Sequence, residues 1–313
     1  MTSPGVPASS SAATALLFPG QGSQRVGMGQ RLAADHVAAR DTMAEADEAL
    51  DFPLARLCFE GPEADLTRTE FCQPAILTVS VALWRALGAE SGLRPRWLAG
   101  HSLGEYTALV VTGALRFRDA VRLVRLRGRL MQSAVPEGVG TMAAIVGLDD
   151  VVVAEICAAA AEGEVVSPAN FNGAGQVVIA GHAAAVARAL VAARAAGGRV
   201  IPLTVSAPFH CALMAPAAAE LASALAAVEV EPLAVPIVSN VDAAVNTDAT
   251  RVRGLLIAQV TAPVRWAESM QLLQALGCER AVEVGPGQVL AKLVQRMKLG
   301  IASTGLEVAG APA

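Results

Sequence analysis

Two short apolar runs in this chain each end in a glycine-rich turn that leads into helix-like sequence. The first run, residues 15–19, stops in the turn FPGQGSQ, and a helix is predicted from Met28. The second run, residues 97–99, meets the turn GHSLG at 100–104, and a helix is predicted from Glu105 to about residue 114. Repeated strand-turn-helix units are typical of α/β domains with a mostly parallel sheet.

The middle of the chain has a different pattern of short elements. Its hydrophobic periodicity predicts strands and helices in the order β-α-β-β-α-β, at residues 141–147, 149–161, 164–168, 176–180, 183–196 and 199–205. That order is the ferredoxin-like signature. We therefore expect a ferredoxin-like subdomain at 139–206, inserted into a larger α/β-hydrolase-like domain at 15–138 and 207–300. A ligand cleft is expected between the two.

Composition excludes several classes of protein. The chain is 54% apolar, yet no apolar stretch approaches the roughly 20 residues of a membrane-spanning helix. A net charge of −4 gives no indication of nucleic-acid binding, and five scattered cysteines without a CxxC pair favour neither disulfides nor zinc. Residues 1–14 lack the features of a secretory signal and are predicted to be a disordered tail, and 301–313 are predicted to be a C-terminal tail. We expect a cytoplasmic protein.

The motif G-x-S-x-G at 100–104 lies between a predicted strand and a predicted helix, which is the context of a nucleophile elbow. Ser102 is the candidate nucleophile. The alternative is an ordinary glycine-rich turn with a serine helix cap.

A serine nucleophile needs a general base, most often histidine. Of the four histidines, His36 and His182 lie in sequence typical of surface or capping positions, and His101 adjoins the serine, pointing away from it or lining the pocket. His210 lies where the predicted subdomain rejoins the larger domain and is the candidate base. No histidine follows it, which disfavours the Ser-acid-His order of α/β-hydrolases. A patatin-like Ser-Asp dyad ranks lower, since no Asp-Gly turn follows the elbow.

The predicted helix at 119–134 carries a cation in an apolar stripe. Its apolar face collects Ala120, Leu123, Val124, Leu130, Met131 and Ala134, and its opposite face Arg122, Arg125 and Arg129. Arg127 falls in the middle of the apolar face. A buried guanidinium must be paired, either with an internal Asp or Glu or with a ligand carboxylate held by two parallel hydrogen bonds. The opposite arginines indicate a solvated face or, alternatively, docking of an acidic partner.

Six ordered motifs resemble the malonyl-CoA:acyl carrier protein transacylase family and the acyltransferase domains of fatty acid and polyketide synthases. They are FPGQGSQ at 18–24, GHSLGEY at 100–106, RLRGRLMQ at 125–132, NFNGAGQVVIAG at 170–181, SAPFHCALM at 206–214 and EVGPGQVL at 283–290. The resemblance extends from about residue 15 to 298.

The resemblance implies a role for each motif residue. Ser102 would be acylated with His210 as its base, and Arg127 would bind the malonyl carboxylate. The backbone amides of Gln21 and Leu103 would form the oxyanion hole. The histidine would be oriented by a backbone carbonyl, that of Gln259.

Three further residues are assigned to the pocket by the same resemblance. They are His101, Asn172 and Phe209. A Phe before the catalytic histidine goes with malonyl in polyketide acyltransferases, whereas a Ser goes with methylmalonyl. Ala207-Pro208 departs from the polyketide motif, so related extender groups stay open.

The resemblance implies ping-pong transfer from malonyl-CoA to an acyl carrier protein supplied in trans, with no metal or redox cofactor and with neither nucleic acid nor membrane as a partner. Two other classes compete: a serine hydrolase without a stable acyl-enzyme, and a non-catalytic scaffold. Within the family, a malonate decarboxylase subunit or a free-standing polyketide acyltransferase would share this chemistry and differ in partner.

Overall fold

The computed structural model describes residues 12–203, 205 and 207–306. The strands of this part are β1 (Thr14–Phe18), β2 (Pro95–Gly100), β3 (Gly140–Val146), β4 (Val166–Gly173), β5 (Gln176–His182), β6 (Arg199–Pro202), β7 (Ile237–Val238), β8 (Val245–Asn246), β9 (Arg280–Glu283) and β10 (Ala302–Gly305). The helices of the first half are α1 (Gln30–Asp35), α2 (Val37–Leu50), α3 (Leu54–Glu60), α4 (Glu63–Thr67), α5 (Thr69–Leu87), α6 (Leu103–Val111) and α7 (Phe117–Ser133). Those of the second half are α8 (Asp150–Ala160), α9 (Ala183–Ala195), α10 (Ala215–Ala226), α11 (Ala249–Thr261), α12 (Trp266–Ala275) and α13 (Val289–Met297).

A six-stranded sheet forms the centre of the larger unit, in the order β10-β9-β1-β2-β7-β8. Every pairing in it is parallel except that of β7 with β8. All five residues of β1 are buried, which explains the apolar run that follows Thr14. Because side chains alternate along a strand, Leu16 and Phe18 join one hydrophobic core, while Ala15 and Leu17 join a second core on the opposite face.

A second, antiparallel sheet has the order β4-β5-β3-β6. Its elements follow one another as β3-α8-β4-β5-α9-β6, the ferredoxin-like order. A separate hydrophobic core forms where α8 and α9 pack on this sheet, and it includes Ile145, Val153, Val177 and Val186. The predicted fold class, a larger α/β-hydrolase-like domain with an inserted ferredoxin-like unit, is confirmed.

Several predicted bounds need correction. The predicted C-terminal tail, 301–313, contains β10, which extends the parallel sheet by pairing Ala302 with Arg280 of β9. Four residues at a sheet edge carry too little periodicity to be recognised from sequence. The predicted N-terminal tail, 1–14, ends in the first residue of β1. Residues 1–11 and 307–313 lie outside the described residues, and the domain boundaries at 139 and 207 stay predictions.

Backbone hydrogen bonds connect the antiparallel sheet to the larger unit. Phe171 in β4 donates its N–H to the Val264 carbonyl at 2.9 Å, and the Val264 N–H donates to the Ala169 carbonyl at 2.9 Å. These bonds fix β4 against the segment between α11 and α12. Across the part of the chain that the structure describes, no helix combines the length and apolarity needed to cross a membrane.

Candidate active site

The turn between β2 and α6 holds Ser102 in a strained backbone conformation, with φ 51° and ψ −105°. The chain packs so tightly here that a Cβ on Gly100 would lie 1.9 Å from the carbonyl carbon of Gly104. A Cβ on Gly104 would lie 2.0 Å from the carbonyl oxygen of Phe18. The two glycines of the motif are therefore required by backbone packing, and they place the serine at the N-terminus of α6.

Ser102 and His210 form a hydrogen-bonded pair, with 2.7 Å between Oγ and Nε2. The other ring nitrogen, Nδ1, lies 2.8 Å from the main-chain oxygen of Gln259. Because a carbonyl oxygen only accepts hydrogen bonds, Nδ1 carries the proton and Nε2 is left as the acceptor for the serine hydroxyl. The predicted contact with the Gln259 backbone is thus present in the structure.

His210 is held in its neutral form. Its side chain is buried and lies near the positive charge of Arg127, and together these effects lower its pKa to about 3. A neutral imidazole can take a proton from the serine hydroxyl, so the geometry and the electrostatics agree.

Arg127 lies beside the serine and is 1% exposed. Its Nη1 donates to Gln73 Oε1 at 2.9 Å, and its Nη2 donates to Gln259 Oε1 at 2.9 Å and to Ser102 Oγ at 3.0 Å. The guanidinium lies over the ring of Tyr106, with its carbon 5.5 Å from the ring centroid.

None of these partners is charged. Within the described residues, no Asp or Glu oxygen lies within 4.0 Å of Arg127, and its Nε has no hydrogen-bond partner. An internal ion pair was one of the two alternatives for this buried guanidinium. The described residues contain no such ion pair. Neutral amides position the cation and leave donors available beside the serine for a carboxylate that arrives with a ligand.

Two of the three arginines on the helix face opposite Arg127 donate hydrogen bonds to main-chain carbonyls of α2. Arg122 Nε donates to the Ala49 carbonyl at 2.8 Å, and Arg125 Nη1 donates to the Leu50 carbonyl at 3.0 Å. Both carbonyls belong to the last turn of α2, where free oxygens carry partial negative charge. Arg122 and Arg129 are exposed, as a solvated face predicts, and the Arg129 side chain makes no hydrogen bond to the described residues.

The two predicted oxyanion donors line the cavity that also contains Ser102, Arg127 and His210. Gln21 and Leu103 both line it, and Leu103 is the first residue of α6. Neither backbone N–H donates a hydrogen bond to any described residue. Free amides at a helix N-terminus beside a nucleophile are suited to stabilise a developing oxyanion.

The cavity is lined by both apolar and polar side chains. The apolar ones belong to Met131, Met142, Leu203, Val205 and Phe209, and the polar ones include Gln73, His101 and Asn170 beside the catalytic pair. The predictions that His101 and Phe209 line the pocket agree with this arrangement.

Asn172 contacts a residue of the cavity lining. Its Oδ1 lies 2.9 Å from Nε2 of His101, which lines the cavity together with Asn170. Asn172 thus holds the imidazole, and its assignment to the pocket itself stays a prediction.

The structure brings together several residues that sequence reasoning did not single out. Asn240 accepts the Ser102 N–H at 2.7 Å and donates from Nδ2 to the Gly100 carbonyl at 2.6 Å. Gln73 and Tyr106 contact Arg127, and Glu105 lies under the elbow. Glu105 and Tyr106 could have been noticed within GHSLGEY. Gln73 and Asn240 carry no local signal, since their partners are distant in the chain.

Comparison with known proteins agrees with this geometry. Residues 15–304 match the model of the acyl transferase domain family. The malonyl CoA-acyl carrier protein transacylase of Escherichia coli K12 is 52% identical over 284 residues, which cover 90% of this chain and 92% of that protein. An acyl carrier protein S-malonyltransferase from Vibrio cholerae superposes with a TM-score of 0.92 at 48% identity, covering 94% of this chain and 96% of that one. A malonyl-transacylase solved in complex with its type II PKS acyl carrier protein superposes with a TM-score of 0.91 at 45% identity, covering 94% and 96%.

Proposed function

This chain belongs to the acyl transferase domain family, and from that premise we propose that it transfers a malonyl group from malonyl-CoA to the phosphopantetheine thiol of an acyl carrier protein. The observation that carries the proposal is the buried Arg127, held by neutral groups 3.0 Å from the hydroxyl of a Ser-His pair. A cation so placed selects acyl groups that bear a carboxylate.

In the first half-reaction, Ser102 Oγ attacks the thioester carbonyl while His210 Nε2 accepts the hydroxyl proton. The Gln21 and Leu103 amides donate to the oxyanion of the tetrahedral intermediate. When the carbon–sulfur bond breaks, the histidine returns the proton to the coenzyme A thiolate. A malonyl ester on Ser102 and free coenzyme A are the products.

In the second half-reaction, the carrier's thiol gives its proton to the same histidine and attacks the ester. Collapse of the intermediate returns the proton to Ser102 Oγ and leaves a malonyl thioester on the carrier. The acyl carrier protein partner is supported by the related malonyl-transacylase solved with its carrier. The proposed product supplies extender units for fatty acid or polyketide synthesis.

Arg127 provides the selectivity in this mechanism. A malonyl carboxylate would pair with guanidinium donors that have no charged partner in the described residues. An acetyl group would leave this buried charge unpaired. A site that binds a polar group of one substrate strongly rejects an analogue without that group, so malonyl is favoured over acetyl. Phe209, an apolar residue of the cavity lining, supports malonyl over branched extender groups. A cytoplasmic location and the lack of a metal or redox cofactor stay predictions.

Intact-mass spectrometry after mixing the protein with malonyl-CoA tests this proposal. The protein should gain the mass of one malonyl group and release one equivalent of coenzyme A, and Ser102→Ala should gain none. Release of coenzyme A without an adduct would favour a serine hydrolase. Neither adduct nor release would favour a non-catalytic role.

A further inference from the structure

A buried carboxylate lies directly beneath the elbow and takes no part in the mechanism above. Glu105 is the third residue of α6 and is 4% exposed. Its Oε2 accepts from Gln259 Nε2 at 2.7 Å and from the Asn240 backbone N–H at 3.2 Å. No Lys or Arg nitrogen of the described residues lies within 4.0 Å of this carboxylate. A buried carboxylate without a cation is costly, so a purely packing role is a poor account of it.

The side-chain amide of Gln259 connects Glu105 to Arg127, the carboxylate clamp of the proposed mechanism. Its Nε2 faces Glu105 and also donates to the Ser102 carbonyl at 3.1 Å, while its Oε1 accepts from Arg127 Nη2 at 2.9 Å. A carboxylate only accepts hydrogen bonds and a guanidinium only donates them. The two ends of the amide are therefore fixed in opposite directions, and a flipped amide would direct N–H donors at the guanidinium.

We propose that Glu105 is a positioning residue for the carboxylate clamp, and that it acts through the side-chain amide of Gln259 to hold Arg127 in the orientation that receives the acyl carboxylate. The inference rests on the proposed function, because it assigns a role within that site. Burial raises the pKa of Glu105 to about 7, so above that pH Glu105 supplies negative charge one amide away from the cation. A direct ion pair would satisfy the charge of the guanidinium, whereas this relay gives its Nη2 a neutral acceptor and leaves the charge to be paired by substrate.

Glu105 also acts on the elbow through Asn240. The Asn240 N–H is held by Glu105, and the Asn240 side chain in turn holds the Ser102 N–H and the Gly100 carbonyl. The main-chain oxygen of Gln259 accepts from His210. One carboxylate thus supports the hydrogen-bond environment of the nucleophile and of the clamp, with the larger expected effect on the clamp because the elbow is also fixed by its glycines.

The test compares malonyl-CoA with acetyl-CoA as donors in single-turnover acylation of Ser102. Glu105→Leu removes the acceptor, so the preference for malonyl over acetyl should fall by about tenfold or more, because small misplacements at a reacting centre reduce rates strongly. Glu105→Gln keeps an oxygen that can accept from Gln259 and should retain the preference within about threefold. Glu283→Gln is the matched control, since Glu283 is also buried, has its pKa raised to about 7 by burial, and accepts from the Ala291 N–H away from the site.

A merely structural role predicts a different result. In that case Glu105→Leu would lower the folded fraction and the rates with both donors equally, as Glu283→Gln would, and the preference would not change. An unchanged preference in folded Glu105→Leu overturns the inference.

If Glu105→Leu does not fold, Gln259→Met decides the question. It removes the amide relay and keeps the main-chain carbonyl that holds His210, so it should lose the malonyl preference to the same extent. A Gln259→Met enzyme with the parent's preference overturns the inference. Failure of the proposed function would look different, because the parent itself would then form no malonyl ester on Ser102.

Discussion

Arg127 is a buried cation whose hydrogen bonds within the described residues go to Gln73, Gln259 and Ser102. Neutral oxygens hold a guanidinium in place without satisfying its charge, and charge-assisted pairing with a carboxylate is the stronger interaction. The residue is therefore arranged to gain its charged partner only when a substrate carboxylate enters. The sequence located this cation, because an arginine in an apolar helical stripe is conspicuous, but the surrounding amides could not be predicted from it.

Replacing Arg127 with lysine tests whether carboxylate binding needs only a positive charge or also the planar hydrogen-bonding geometry of the guanidinium. The ammonium keeps the charge but cannot make two parallel hydrogen bonds to a carboxylate. We expect kcat/KM for malonyl-CoA to fall by about 30-fold or more, and the rate with acetyl-CoA to change by less than about threefold. Arg129→Lys, on the exposed face of the same helix, is the control and should change neither rate. Equal losses with both donors would contradict a carboxylate-binding role.

The depressed pKa of His210 predicts an unusual pH profile. The imidazole acts as a base only when neutral, so the rate should fall only as pH decreases through a pKa of about 3. Inactivation of Ser102 by a fluorophosphonate reagent should thus be nearly constant between pH 7 and pH 5. A histidine with the ordinary pKa of about 6.5 would instead lose about 25-fold over that range. Arg127→Met removes a positive charge that lowers the pKa of His210, so the rate of this variant should begin to fall at a higher pH than that of the parent.

At the scale of elements, the site depends on the contact of the β2–α6 turn with the end of β1. Gly104 packs against the Phe18 backbone, and the His101 N–H donates to the Phe18 carbonyl at 3.0 Å. The strand-turn-helix pattern predicted this elbow correctly because tight turns require glycine and give a strong local signal. The sequence pattern could not predict that the end of α2 contacts Arg122 and Arg125, because this contact joins helices that are distant in the chain.

Gly104→Ala should disrupt the elbow. Its Cβ would lie 2.0 Å from the Phe18 carbonyl oxygen, so the backbone must move, at a cost of about 3 kcal/mol or more in the free energy of unfolding. Acylation of Ser102 should fall below detection even in the protein that remains folded. Gly254→Ala in α11, which meets no atom within 4 Å, should be stabilising by up to about 1 kcal/mol. Denaturant unfolding and intact mass measure both effects, and normal acylation by Gly104→Ala would contradict this account.

At the scale of the whole molecule, the site combines residues that are distant in sequence. Ser102 follows β2, Arg127 lies in α7, His210 follows the antiparallel sheet, and Gln259 lies in α11. The order of elements predicted both sheets. It could not show that Phe171 of the antiparallel sheet would pair with Val264 of the larger unit, because those hydrogen bonds are long-range and made by the backbone. Gln73 and Asn240 were missed because their partners are also distant in the chain, since only the assembled fold brings Gln73 to Arg127 and Asn240 to Ser102.

The most direct test of transfer starts from isolated malonyl-enzyme. The acyl-enzyme is freed of coenzyme A and mixed with holo-acyl carrier protein, or with the apo form that lacks the phosphopantetheine thiol, and both proteins are followed by intact mass. The malonyl mass should move from Ser102 to the holo carrier and stay on the enzyme with the apo form. Loss of the adduct to water at the same rate with either form, with no gain of mass by the carrier, would contradict malonyl transfer to a carrier thiol.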